Sequence, residues 1–284
     1  MTDPVALLAA YDAQLRSERA SSLPPAARID RDGPVVRVTG LHRGFVSTAR
    51  DLGVRGAELD ELIARQRDWF AARGEAFEWK TRGHDLPADL PARLRAAGFV
   101  PEERETVLIA PVAALPAHSP PPGVTIRQVS DVADMRRIAA MESQVWAEDH
   151  GWLAAELAGM VERDPDATFV FAAEADGDVV SAAWLVLAEG TQFGGLWGGS
   201  TLERSRGRGL YRALVGRRAA QAAARGARYL QVDASDESRP ILERLGFVAV
   251  TTTTPYVWSP AGARTAVPQA GGPAASASDL PAPG

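Results

Sequence analysis

Residues 191–226, TQFGGLWGGSTLERSRGRGLYRALVGRRAAQAAARG, constrain the fold of this chain more than any other stretch. A strand pattern interrupted by glycines runs into Arg204-Ser205-Arg206-Gly207-Arg208-Gly209, and an alanine-rich amphipathic helix follows, closing at Gly226. Glycines inside a strand mark a bulge or a close backbone approach. A glycine-rich turn that opens a helix leaves backbone N–H groups unpaired and pointing one way. The helix dipole adds partial positive charge at that end, so the place suits a phosphate. A solvated basic turn and a nucleic-acid patch are the competing readings of the same residues. The net charge of −5 and pI near 5.5 argue against nucleic acid, which needs a broad basic face.

The chain has 284 residues, enough for two domains. It has no cysteine, which excludes disulfides, thiolate metal sites and a cysteine nucleophile. The opening MTDPVALLAAYDAQLRSERA has no basic start followed by an apolar run, so no signal peptide is expected. No window approaches ~20 uninterrupted apolar residues, so no membrane span is expected and the cytoplasm is the default location. Residues 111–123, PVAALPAHSPPPG, read as a semi-rigid linker. Residues 259–284 are rich in Pro, Gly, Ala and Ser and read as a disordered tail. That leaves domains at residues 1–110 and 124–258.

The second domain reads as strand, two helices, three strands, helix, strand, helix, strand. The first of these helices has Asp131 as its cap, and Asp176-Gly177-Asp178 joins two strands in a hairpin. This order, the loop at residues 204–209, and a final helix ending in Leu245-Gly246-Phe247 resemble the GNAT superfamily of N-acetyltransferases over residues 124–258. The resemblance implies an α/β fold of the α+β kind: a mixed, mostly antiparallel sheet flanked by helices. It implies acetyl-CoA as co-substrate and no metal. The cofactor would be held by Gly199, Ser200, Thr201, Arg204, Arg206, Gly207, Arg208, Gly209, Leu210, Tyr211 and Ser235. The loop pattern fits in two registers, and in the second Tyr211 stands where the family has Gly or Ala.

The family often has an Asn closing the fifth strand and a Tyr seven residues later that protonates the leaving thiolate. Those positions are Ser235 and Leu242 here, and leucine has no proton to give. Tyr211 and Tyr256 are the alternatives by fold analogy. For the proton of the attacking amine the candidates are Glu148 and Asp149, in WAEDHGW between Trp146 and Trp152, with Glu189 and Asp233 further along. The expected activity is transfer of an acetyl group to a primary amine, most simply that of a small molecule, by direct attack. The alternative is an acyl-CoA-binding sensor or scaffold with little catalysis. The turn at 146–152 also reads simply as a polar helix–helix connection.

The first domain echoes the second. EAFEWKTRGHDLPADLPARLRAAGFVPEERETVLIA gives strand, loop, helix, Ala97-Gly98-Phe99 and strand, as the end of the second domain does. Upstream, GPVVRVTG reads as a strand and ELDELIARQRDWFAARG as a long helix, without an arginine-glycine cluster before it. Two similar lobes are therefore expected, the first a degenerate module. Tandem acetyltransferases with one inert half have the same plan. Trp79, His84 and Asp85 sit at the equivalent strand end, where a capped loop is the simpler reading.

Overall fold

The structure is a computed structural model that describes residues 3–16, 27–40 and 43–260. The tail expected from residue 259 lies outside the described residues beyond Pro260. The described residues divide into two units, one formed by Asp3–Val107 with Val250–Pro260, the other by Leu108–Ala249. One boundary falls within the strand at Glu105–Pro111 and the other within the strand at Val248–Trp258. An alternating strand pattern encodes two faces but not a neighbour, so this assignment is set by non-local pairing.

In the second unit, strands β7 (Thr125–Val129), β8 (Thr168–Ala175), β9 (Asp178–Leu187) and β10 (Phe193–Thr201) pair antiparallel in that order. β10 then pairs parallel with β11 (Tyr229–Ala234), and β6 (Glu105–Pro111) lies beside β11. The β8–β9 turn is tight because Asp176 and Gly177 adopt φ of 52° and 86°. Helix α4 (Val132–Trp146) starts where the Asp131 carboxylate accepts from the Asp134 N–H at 2.8 Å, a cap contributing about 1 kcal/mol. It ends at Ala147, whose left-handed φ of 55° redirects the chain into α5 (Trp152–Arg163).

Alternation along β8 gives this sheet two cores. Phe169 and Phe171 face helix α6 (Leu210–Ala224), with Leu185, Leu196, Leu214, Val215 and, from α7 (Arg239–Arg244), Leu242. Val170 and Ala172 face the other way, onto Met135, Ile138 and Met141 of α4 and Leu153 and Leu157 of α5. Each fully buried Phe or Leu contributes about 1.5–3 kcal/mol.

The first unit repeats half of this plan. Strands β1 (Arg28–Asp32), β2 (Val35–Thr39) and β3 (Gly44–Thr48) pair antiparallel, and β3 pairs parallel with β4 (Phe77–Arg82) across helix α2 (Gly56–Ala71). Strand β12 (Val248–Trp258) closes the sheet antiparallel to β4, with the short β5 (Val100–Pro101) also on it. The strand–helix–strand unit β3–α2–β4 matches β10–α6–β11 in order and direction, which is the physical content of the echo. Its core stacks Phe70 on Phe77 at 4.0 Å, with Trp79, Leu59, Leu62 and Leu94 around them. Helix α1 (Pro4–Leu15) starts at Asp3, whose carboxylate accepts from the Val5 N–H at 2.9 Å, and α3 (Leu90–Ala96) precedes the Ala97-Gly98-Phe99 turn.

His84 and Asp85 are structural braces. His84 meets Thr251 Oγ1 at 2.7 Å and Asp12 at 3.0 Å, and Asp85 accepts from the Arg82 N–H at 2.7 Å and pairs with Arg16. This is the capped loop of the simpler reading, and Trp79 beside it is fully buried.

Candidate active site

β10 holds β11 only through Phe193, Gly194 and Gly195, paired to Tyr229, Leu230 and Gln231. Beyond Gly195 the two strands part, while β10 stays paired to β9 as far as Thr201. Past Gly195, β10 therefore has no strand paired on its β11 side, beside the segment that leads into α6.

Within this stretch the register slips between Gly198 and Ser200. Gly198 and Gly199 adopt φ of 63° and 108°, backbone that other residues rarely take. Aromatic rings close on both: a Cβ at Gly198 would lie 2.5 Å from the Trp184 ring, and one at Gly199 2.7 Å from Tyr211 Cε2. Ser181 fixes the end of the bulge, donating to the Ser200 carbonyl at 2.6 Å and meeting Thr201 Oγ1 at 2.8 Å.

After a turn at Glu203–Ser205, Gly207 and Gly209 carry the chain into α6 with φ of 73° and 89°. The first N–H of the helix to bond back is that of Ala213, to the Gly209 carbonyl at 3.1 Å. The preceding amides have no carbonyl within the helix to reach and crown its N-terminus. A Cβ at Gly207 would meet nothing within 4 Å, so the cradle is open. Arg204, Arg206 and Arg208 are exposed; Arg206 Nε donates to the Thr201 carbonyl at 3.1 Å, and Arg204 lies 3.3 Å from Asp178. Leu210 is buried and anchors the helix start. Open amides, a helix dipole and exposed guanidinium groups suit a pyrophosphate.

Residues 132–247 match the acetyltransferase (GNAT) family. That stretch is similar to a GNAT domain. It is similar in fold to a GCN5-related N-acetyltransferase from Kribbella flavida, at 20% identity over 91% of this chain and 95% of that one, with a TM-score of 0.66. A GCN5-related N-acetyltransferase from Sphaerobacter thermophilus is 18% identical over 81% of this chain and 82% of that one, TM-score 0.58. A tandem GNAT protein from the clavulanic acid biosynthesis pathway is 15% identical over 90% and 94%, TM-score 0.60. No curated protein matches this sequence. The mixed α/β architecture with mostly antiparallel sheets is the GNAT fold.

The remaining candidate residues lie in several places. Ser235 is buried and shapes the turn into α7, where its hydroxyl lies 3.3 Å from the Ser238 N–H and its carbonyl accepts from the Arg239 N–H at 2.9 Å. Leu242 is fully buried in the core. Tyr211 packs against the bulge at Gly199, and burial pushes its phenol above the ordinary range. Asp233, half-buried on β11, accepts from Gln231 Nε2 at 2.6 Å. Glu148 and Asp149 are exposed in the α4–α5 turn, and Asp149 accepts from the Gly151 N–H at 2.8 Å. Glu189 is exposed, and Tyr256 belongs to the first unit.

Two buried charges near the bulge escaped the sequence reading. Arg218 is 1% exposed; it donates to the Leu214 carbonyl at 3.2 Å and the Trp197 carbonyl at 3.1 Å. Burial lowers its pKa to about 10. Glu142 is 3% exposed on the inner face of α4. Both sit at helical spacing among apolar residues, Glu142 four after Ile138 and Arg218 four after Leu214. A charge on an apolar stripe was the signal available. Among the described residues no group of three His, Asp or Glu side chains is placed to hold a metal ion, and no helix is long and apolar enough to cross a membrane.

Proposed function

We propose that the second unit binds acetyl-CoA and transfers its acetyl group to the primary amine of a small molecule by direct attack. The observation that carries this reading is the parting of β10 from β11 after Gly195, next to a glycine-rich cradle at the start of α6. Backbone N–H groups on the splayed strand would polarise the thioester carbonyl, and positioning supplies the remaining rate. The pyrophosphate would rest on the amides of residues 207–211, with Arg204, Arg206 and Arg208 around it. The exposed carboxylates of Glu148 and Asp149 would draw a cationic amine to the α4–α5 turn, where His150 and Trp152 stand 5.9 Å apart. With Leu242 in the core, Tyr211 is the proposed proton donor to the leaving thiolate, and its raised pKa keeps it protonated at neutral pH. We read the protein as cytoplasmic.

Titration calorimetry with acetyl-CoA tests the cofactor assignment: micromolar binding is expected, and none would overturn it. Thiol release over a panel of primary amines tests the enzyme reading. The second reading, an acyl-CoA sensor or scaffold, is favoured by the buried Leu242 and predicts binding without release. Tyr211→Phe is expected to lower kcat about 100-fold at unchanged acetyl-CoA affinity. An unchanged kcat would remove Tyr211 from the chemistry.

A further inference from the structure

An amine that has lost its ammonium proton to solvent must shed one further N–H proton as its nitrogen bonds to a thioester carbon. We infer that Glu142 accepts that proton, an assignment that rests on the acetyltransferase reading above. Glu142 projects from the face of α4 that carries the buried Met135, Ile138 and Ala139. Its Oε2 accepts from Trp146 Nε1 at 2.8 Å. Its Oε1 is buried and has no hydrogen-bond partner among the described residues. The Ser200 side chain adjoins the carboxyl. Ser200 stands on β10 where the register has slipped at the bulge, opposite Ala182 of β9, whose side chain belongs to the core on the α4 side. A carboxylate oxygen without a partner is thus held against the splayed strand, on the same side of the sheet as the α4–α5 turn.

A buried carboxylate with one unsatisfied oxygen is costly, and a Met or Leu would fill the same volume without that cost. The other carboxylates near the turn are placed less well: Glu148 and Asp149 face solvent, and Asp233 is engaged by Gln231. Burial pushes the Glu142 carboxyl above the ordinary carboxylate range, against the opposing pull of Ser200, Trp146 and His150. Such a group is a better proton acceptor than an exposed Glu. In the step proposed, the neutral nitrogen attacks the thioester carbonyl carbon. The C–N bond forms, the C–S bond breaks, one N–H proton passes to Glu142 Oε1, and the departing thiolate is protonated separately.

The test uses the full chain, acetyl-CoA, and the primary amine that the wild type acetylates fastest. Glu142→Gln keeps the volume and the acceptor for Trp146 Nε1. Its kcat at pH 7 is expected to fall at least about 100-fold with acetyl-CoA affinity unchanged. Glu142 acts in its charged form, so wild-type rate should rise with pH through the raised carboxyl value. In Glu142→Gln that limb should vanish, leaving only the rise set by the amine itself. Glu142→Asp should keep the limb at an intermediate kcat, and serves also if the Gln variant folds poorly by circular dichroism. Wild-type kcat and pH profile in Glu142→Gln would overturn the assignment while leaving the acetyltransferase reading intact. Acetyl-CoA binding without acetylation of any amine would overturn the assignment but not the cofactor site. Absence of acetyl-CoA binding by the wild type would overturn both.

Discussion

Gly209→Glu should weaken acetyl-CoA binding by at least about 100-fold, a loss of about 2.7 kcal/mol, while the protein stays folded. Gly209 caps α6 with φ of 89°, so any side chain costs about 1–2 kcal/mol of backbone strain. Space is not the obstacle, because a Cβ there meets nothing nearer than the mobile Arg212 guanidinium at 3.3 Å. Charge and volume are. A carboxylate at the N-terminus of α6 occupies the place proposed for the pyrophosphate and takes up the partial charge of the amides. The same carboxylate interacts favourably with the helix dipole, which offsets part of the strain. Gly209→Ala is the control, since it imposes the strain without the charge and should bind acetyl-CoA far better than Gly209→Glu. Calorimetry on both variants decides: equal affinity for wild type and Gly209→Glu would refute the loop as the cofactor cradle.

Gly199→Val is expected to destabilise the protein by about 3 kcal/mol, from backbone strain and overpacking together. At φ of 108°, Gly199 holds a conformation hostile to a β-branched residue. The new Cβ would also stand 2.7 Å from the Tyr211 ring, which is partly held by the core behind it. Urea denaturation should show the midpoint falling with the slope unchanged. Removing the ring separates the two causes: in a Tyr211→Ala background the same substitution should cost less, because the clash is gone and only the strain remains. A midpoint equal to that of the wild type would mean that the bulge is not a rigid feature of β10.

Local signals in the sequence carried much of this architecture. Asp131 caps α4 as expected, Asp176-Gly177 turns the β8–β9 hairpin, and Gly226 follows α6. Each depends on residues within a few positions of one another. The start of α1 was equally local, with Asp3 as cap and Pro4 in the first turn, but the sequence reading did not use it. The home of the last strands was not legible. THR-rich β12 and apolar β6 have strand composition, but their neighbours are decided by packing across many residues. The glycine-rich opening of α6 was legible because Gly207 and Gly209 take positive φ there, which glycine adopts readily. Glu142, the proposed proton acceptor, was not. The exposed Glu148 and Asp149 drew attention by being polar between tryptophans, whereas Glu142 is surrounded by apolar residues and reads as one more helix former.

The division of the described residues into Asp3–Val107 with Val250–Pro260, and Leu108–Ala249, bears on how the molecule is made. During synthesis β4 emerges long before β12, so the edge of β4 that β12 will cover stays bare over the intervening residues. The second unit has its distant strand, β6, early, and can finish its sheet before β12 has emerged. The second unit is thus the natural first folder, and the first unit closes last, through contacts of very large sequence separation that fold slowly.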